Sequence, residues 1–330
     1  MINSLYIKNY RIFKELHINK FAKVNLIIGK NNVGKTSLLE AIMLLVSNKN
    51  MIYNIFQILS HRKEFLDTNL KTQKLLEILT TLFHNQNVSN ESIFISVNEQ
   101  QAYSIYLTDQ APTLIIKQAD KIIEKILLSE IPQRLDSVTN NDTNIAFVKA
   151  NIPESSESLS QTWGKIALSD KEEYIIDAIK IIDDKIERFA FIDDAIHLKK
   201  AIVKLRDTKQ PVSLNSMGDG INQILRTILA LVRCENGYLL IDEFATGLHW
   251  SVQMAFWKMI FQLSQKLNIQ IFATTHSLDT LTAFQEIAKS ENYNSEAAVI
   301  KLQSKKNKIK AIHFKVQDIM IAVEQNIEVR

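Results

Sequence analysis

A chain of 330 residues with 46% hydrophobic and 23% charged residues has ordinary globular composition. That excludes a disordered protein and predicts one large domain, or a core plus one subdomain. The net charge of +3 is small, so nucleic-acid contact would need a local patch, and the single cysteine, Cys234, excludes an internal disulfide framework. No apolar run is long enough to span a bilayer, so a soluble, cytoplasmic chain without membrane contact is expected.

Residues 5–7 and 15–18 predict short strands about the turn 8–13, and 24–28 is the continuous apolar run of a buried parallel strand. That run leads into Gly29-Lys30-Asn31-Asn32-Val33-Gly34-Lys35-Thr36, which fits G-x-x-x-x-G-K-[ST]; residues 37–45 read as the helix that must follow. In such a loop the glycines let backbone N–H groups turn toward phosphates, and the helix N-terminus adds partial positive charge. Lys35 would reach the terminal phosphates and the Thr36 hydroxyl could ligate magnesium. A tight strand-to-helix turn is the alternative reading.

Residues 51–83 carry helical spacing, for example Leu75, Leu76, Ile78, Leu79 and Leu82, and 82–87 predict a polar loop. Three alternating segments, 92–97, 102–107 and 113–116, predict an antiparallel meander. From 119 to 168 the pattern suggests a short apolar helix, a polar turn over 136–144, a strand at 145–148 and a serine-rich connection at 154–160. Ile175, Ile179, Ile182 and Ile186 recur at spacings of four and three, predicting a helix over 170–188 packed on another helix.

Ser216, Met217, Gly218 and Asp219 open an apolar helix over 221–232. A small hydroxyl residue and a glycine there make an anion site or an ordinary N-cap. The apolar strand 238–241 ends in Asp242-Glu243, either a surface turn or a pair in which Asp242 holds magnesium and Glu243 polarises a water. After a helix over 249–267, the strand 269–274 ends in Thr275-His276-Ser277, at the edge where open parallel sheets bind ligands.

In this order the residues resemble the Walker A, signature, Walker B, D-loop and switch-histidine elements of ABC-type ATPase domains. The segments KNYRIFKE, IIGKNNVGKTSLLEAI, SMGDGINQIL, LLIDEFATGLHW and FATTHS resemble the RecF, SMC and OLD-type branch, and most of all the ATP-binding proteins of OLD-like bacterial anti-phage systems. The resemblance covers both ends of the chain and is weak from about 50 to 205. It implies an α/β fold: an ABC-type P-loop ATPase head with a mixed central sheet, an antiparallel β lobe and a helical subdomain, without a long coiled coil. The implied parts are an N-terminal ATPase lobe (1–118), a helical or variable subdomain (119–205) and a C-terminal ATPase lobe (206–330).

It further implies an enzyme that hydrolyses ATP with Mg2+ as a homodimer closed head to head. Each ATP would be held by one subunit's Gly29, Lys30, Asn31, Asn32, Val33, Gly34, Lys35, Thr36 and Ser37, with Arg11 and Phe13 near the nucleoside. The partner would supply Ser216, Met217, Gly218 and Asp219 in trans. Lys35, Glu243 and His276 are the implied catalytic residues, and Thr36, Asp242 and Gln86 the implied magnesium ligands, with Gln57 the other candidate for the glutamine. Met217 replaces a signature glycine, and Phe244 and Trp250 stand where relatives often have proline.

OLD-type nucleases carry a Toprim domain, whereas the residues after His276 predict one helix, a two-stranded hairpin and a terminal helix, without a metal-binding cluster of acids. The chain is therefore expected not to be a nuclease itself and to act through a separate effector protein. A RecF-like DNA-binding ATPase of repair is the alternative; a transporter's nucleotide-binding subunit fits the wording poorly. Two basic groups, Lys301, Lys305, Lys306, Lys308, Lys310, Lys315 and Lys199, Lys200, Lys204, Arg206, Lys209, read as a nucleic-acid surface or as solvated edges protected against aggregation.

Overall fold

The computed structural model describes residues 1–46, 51–65, 71–88, 91–108, 111–137, 144–149, 155–193, 199–244, 248–306 and 308–314. The chain begins with β1 (Leu5–Tyr10), β2 (Phe13–Ile18), β3 (Val24–Ile28), α1 (Lys35–Val46), α2 (Met51–His61) and α3 (Thr72–Thr80). It continues through β4 (Ile93–Val97), β5 (Gln101–Thr108), β6 (Thr113–Gln118), β7 (Lys121–Leu127), α4 (Ile131–Ser137), β8 (Ile145–Lys149), α5 (Ser156–Ile166) and α6 (Glu172–Lys180). Next come β9 (Ile186–Asp193), β10 (Lys199–Leu205), β11 (Val212–Ser213), α7 (Asp219–Arg233), β12 (Tyr238–Asp242) and α8 (Trp250–Lys266). The last described elements are β13 (Gln270–Thr275), α9 (Leu278–Ser290), β14 (Ala297–Lys305) and β15 (Lys308–Phe314).

Two compact units divide the chain, one of residues 1–22, 27–142 and 299–314, the other containing 23–26 and 143–298. Strands β3 and β14 each begin in the second unit and end in the first.

The first unit holds a six-stranded antiparallel sheet in the order β2-β1-β4-β5-β6-β7. The expected three-stranded meander is thus extended at both ends. Pairing of Leu5 with Val97 and Ile7 with Ile95 puts the apolar alternates of β1 and β4 on one buried face. On the other side, the apolar stretch after 119 is strand β7, not a helix. A turn at Ala119, with φ +52 and its N–H on the Ala102 carbonyl at 2.8 Å, returns the chain along β6. Hairpin pairing won over a periodicity that suits either structure. Helix α1 is apolar nearly all round and buries Leu38, Leu39, Ile42, Met43 and Leu45. The β14–β15 hairpin lies beside β2.

In the second unit β8, β12 and β13 run parallel, with β12 central. The first residues of β3 lie next to β13, where the Ile271 N–H donates to the Lys23 carbonyl at 2.8 Å and Asn25 Nδ2 donates to the Ile271 carbonyl at 3.0 Å. Gly237 stands against the start of β8: a Cβ there would lie 1.8 Å from the Asn144 carbonyl oxygen, so only glycine admits this approach. Below the strands, α8 and α9 pack through Trp257, which stacks on Phe244 at 3.9 Å and meets Phe284 edge-on at 4.9 Å.

A small sheet, β11-β10-β9, carries α5 and α6. The expected isoleucine seam is cut short here. Ile175 and Ile179 are buried on α6, but that helix ends at Lys180 and Ile186 opens β9. The Asp183-Asp184 pair breaks it, since Asp183 Oδ1 accepts from the Lys185 N–H at 3.0 Å in an Asx turn. The serine-rich stretch starts α5, with Ser155 as N-cap accepting from the Ser158 N–H at 3.2 Å. The middle of the chain therefore mixes strands with its helices.

This is a mixed α/β fold with parallel strands, an antiparallel lobe and packed helices. The longest described helix, α8, has 17 residues, so none of the described helices forms a coiled-coil arm. No described helix is long and apolar enough to cross a membrane. The expected terminal helix, Lys315 and residues 245–247 of the segment LLIDEFATGLHW lie outside the described residues.

Candidate nucleotide site

Strand β3, buried at every residue, delivers the chain to the phosphate loop in the first unit. Three loop residues have positive φ: Gly29 at +148, Asn32 at +61 and Gly34 at +100. Both glycines are also sterically required. A Cβ at Gly29 would meet the Leu302 carbonyl oxygen at 2.5 Å, and one at Gly34 would meet the Phe13 ring at 2.7 Å. The loop is thus pressed between β14 and the β1–β2 turn. Lys35 is buried, and its Nζ donates to the Gly29 and Lys30 carbonyls at 2.9 and 3.2 Å, so its ammonium spans the loop. Asn31 and Asn32 are exposed and Thr36 is half-buried on the first turn of α1.

Ser37 and Glu40, one turn apart on α1, are held from behind by Arg62. Its Nη2 donates to Ser37 Oγ at 3.1 Å, and its Nε donates to Glu40 Oε1 at 2.8 Å. Glu40 is fully buried. Burial works against the Arg62 charge, but the bonds and field of Glu40 outweigh it and hold the guanidinium pKa above its ordinary value. The Tyr10 hydroxyl in the same region is pushed up strongly, by burial first and by Glu40 second, so it stays neutral.

The Arg11 guanidinium, only 7% exposed, forms a fork with Glu64 at 3.1 and 3.0 Å and donates to the Thr81 carbonyl at 3.1 Å. Its two Nη groups are therefore turned to Glu64 and Thr81. Phe13 is the ring that packs on Gly34. Gln86 sits at the exposed tip of a turn, with Asn85 and Gln86 both left-handed at φ +53 and +56. This turn is tied to the β1–β2 turn. The Arg11 N–H donates to the Leu82 carbonyl at 2.7 Å, and His84 Nδ1 lies 3.0 Å from the Arg11 carbonyl oxygen. Gln57, the other candidate, is on α2, half-buried.

In the second unit Asp242 ends β12, and Glu243 follows with φ +61, a strained conformation for a residue with a long side chain. Such strain costs about 1–3 kcal/mol, and Thr274 on the neighbouring β13 offsets it. Thr274 Oγ1 accepts from the Glu243 N–H at 2.9 Å and donates to Asp242 Oδ1 at 2.8 Å; its carbonyl accepts from the Phe244 N–H at 2.7 Å. Three bonds at about 1 kcal/mol each suffice to hold the turn. The bent backbone brings the Glu243 carboxylate to His276, whose Nδ1 lies 2.5 Å from Oε2. Glu243 is 23% exposed and His276 55%, so the pair faces solvent at the strand ends. Acid, threonine and histidine form one connected unit. Thr274 was not singled out by the sequence, because its role comes from β13 lying beside β12.

Elsewhere in this unit, Ser216 is exposed and its Oγ donates to the Ser213 carbonyl at 2.7 Å. Gly218, at φ +96, has open space for 4 Å around the point where a Cβ would stand, so it is needed for its conformation alone. It precedes α7, whose N-terminus has no side-chain cap and carries Asp219 in its first turn. Met217 closes the preceding turn of 3-10 helix, half-buried. Trp250 is 60% exposed at the start of α8.

Thr36 and Asp242 offer the hydroxyl and carboxylate oxygens that suit a hard cation such as Mg2+. The Gln86 amide oxygen is of the same class.

Residues 24–282 match the family model described as "AAA domain, putative AbiEii toxin, Type IV TA system". The chain is similar to the "ATP/GTP phosphatase" of Helicobacter pylori, at 24% identity over 89% of this chain and 90% of that protein. It is also similar to the "DNA replication and repair protein RecF" of Bacillus cereus, at 34% identity over 32% of this chain and 28% of that protein. Among solved structures, the Smc head bound to the C-winged helix domain of ScpA aligns with a TM-score of 0.60 at 12% identity, over 97% of this chain and 99% of that one. That likeness concerns the fold. With the family match spanning most of its length, this chain belongs to the AAA domain family of that description, and its mixed α/β fold resembles that of an Smc head.

Proposed function

We propose that the protein binds and hydrolyses ATP as a dimeric switch, the sensor or regulator of a bacterial anti-phage defence complex, and controls a separate effector, a toxin or a nuclease. The observation that carries the hydrolytic part is the Glu243–His276 pair, held by a strained backbone that Thr274 stabilises. Strain maintained by surrounding bonds at strand ends is a feature of functional sites. In this reading Gly29–Ser37 cradle the phosphates and Lys35 supplies positive charge to the terminal ones. Thr36, Asp242 and Gln86 would hold Mg2+, which would neutralise phosphate charge. Glu243 orients the attacking water and accepts its proton; His276 positions Glu243 and contacts the terminal phosphate. The family name and the phosphatase relative support ATP or GTP as the substrate class.

The dimer would form with Ser216 and the open N-terminus of α7 facing the partner's nucleotide. Ser216→Arg places a bulky cation at that surface, so it should abolish ATP-dependent dimerisation while leaving nucleotide binding by the same chain's phosphate loop intact. Light scattering with a slowly hydrolysed ATP analogue checks this. A wild-type chain that stays monomeric with that analogue and its partner protein would rule out the dimer.

An output delivered by another protein is testable in cells. Growth arrest on expression should require this chain together with the product of a neighbouring gene and should disappear with Lys35→Ala. Arrest by this chain alone would count against a separate effector.

DNA binding of the RecF kind is the second reading, favoured by Lys305, Lys306, Lys308 and Lys310, which are exposed on the β14–β15 hairpin. Lys301 is buried. The other basic group favours this reading less, because Lys199 pairs with Asp193 at 2.6 Å and Arg206 lies 3.9 Å from Glu187. DNA affinity that falls steeply with salt and with loss of the hairpin lysines would support it.

A further inference from the structure

The turn that ends α2 carries two opposed charges aimed at different elements. Lys63 has φ +58, the Lys63 N–H donates to the Ser60 carbonyl at 2.8 Å and the Glu64 N–H donates to the Leu59 carbonyl at 2.9 Å. These are the paired bonds of a Schellman cap, formed around a lysine where glycine is usual. The left-handed residue sends its two neighbours in different directions. Arg62 reaches α1, bonding Ser37 and the fully buried Glu40. Glu64 bonds Arg11 and, at 3.1 Å, the Thr81 hydroxyl, immediately before the segment that docks on the Arg11 backbone and ends in the Gln86 turn. Phe65 fixes the turn by meeting Phe56 of α2 edge-on at 4.9 Å.

We propose that Arg62 and Glu64 are positioning residues that couple the first turn of α1 to the Gln86 turn, so that phosphate held at the loop is felt at residues 82–87. This rests on the reading of the loop as an ATP site. The link is continuous: Ser37 and Glu40 to Arg62, across Lys63 to Glu64, then to Arg11 and Thr81. In each pair one partner is buried, Glu40 and Arg11, and displacement would leave that interior charge without its partner, which is strongly unfavourable. A shift of α1 on binding phosphate therefore has to be followed by the turn. Both Glu40 and Arg62 lie outside the set that touches nucleotide, so they act through Ser37 and the helix.

Amide hydrogen exchange with and without ATP and Mg2+, run beside a direct measurement of ATP affinity, tests the link. In the wild type, ATP should slow exchange at 82–87 as well as in the loop. Glu64→Gln, close to isosteric, should leave ATP affinity at the wild-type value and remove the added protection at 82–87. Thr81→Ala, which removes the hydroxyl that Glu64 and Arg11 bond while keeping the carbonyl bond to Arg11, should reduce the added protection and serves if Glu64→Gln does not fold. Arg62→Ala should lower turnover by about 100-fold through misplacement of the loop, with partial recovery in Arg62→Lys. Wild-type protein that binds ATP without any change at 82–87 would overturn the proposal, as would unaltered protection in both Glu64→Gln and Thr81→Ala. A wild type that does not bind ATP would instead sink the nucleotide reading itself, and the coupling with it.

Discussion

Lys35→Ala should weaken ATP binding by roughly 10- to 150-fold, the equivalent of the ~1.5–3 kcal/mol that hydrogen bonds to a charged group contribute. Lys35 is the cation whose Nζ spans the loop on the Gly29 and Lys30 carbonyls, where it would also meet the terminal phosphates of a bound nucleotide. Alanine removes both the charge and the two bonds. The loop keeps its shape from Gly29 and Gly34, whose tight packing does not involve the lysine. A fluorescent ATP analogue measures the affinity, and circular dichroism confirms that the fold is retained. Binding within twofold of wild type would mean that the loop is a strand-to-helix turn and no more.

Glu243→Gln should have the opposite signature, with ATP bound at wild-type affinity and turnover reduced by about 10²–10⁴-fold, as expected for loss of a general base. Glutamine keeps the shape and the Glu243 N–H bond to Thr274, so the strained turn survives. It lacks the carboxylate that faces His276. With hydrolysis stopped, the closed dimer should accumulate on ATP addition. His276→Ala should lower turnover by about 10²-fold, near the value for loss of one preorganised donor, with affinity nearly unchanged. Steady-state turnover unaffected by Glu243→Gln would require another residue to activate water.

Much of the candidate site was legible because its chemistry is local. A phosphate loop is written in eight consecutive residues flanked by a strand and a helix, and β3 and α1 stand where those flanks predicted. Asp242, Glu243 and His276 likewise end strands that read clearly as apolar runs. Thr274 was not legible, because its role depends on β13 lying beside β12, a pairing between segments some thirty residues apart. Arg62 and Glu64 are in the same position: nothing in HRKEF reveals that one charge meets Glu40 and the other Arg11. Within the fold, the misread segments were those where one pattern serves two structures. The residues of β7 suit a helix until the turn at Ala119 pairs them with β6, and the isoleucine seam of α6 runs on in sequence past Lys180, where the helix ends, through the Asx turn at Asp183 into β9.

An ATPase whose site is completed by a second copy is tested most directly by mixing two inactive variants. Lys35→Ala has a defective loop and an intact Ser216, whereas Ser216→Arg has an intact loop and a defective signature. Each alone should release almost no phosphate from ATP. Mixed in equal amounts, they should form heterodimers in which one site would join the intact loop of one chain to the intact Ser216 of the other, and phosphate release should return at a substantial fraction of the wild-type rate. A mixture as inactive as its components, beside a wild type that hydrolyses ATP, would contradict the shared site; a purified wild type with no turnover in the presence of its partner protein would contradict the ATPase.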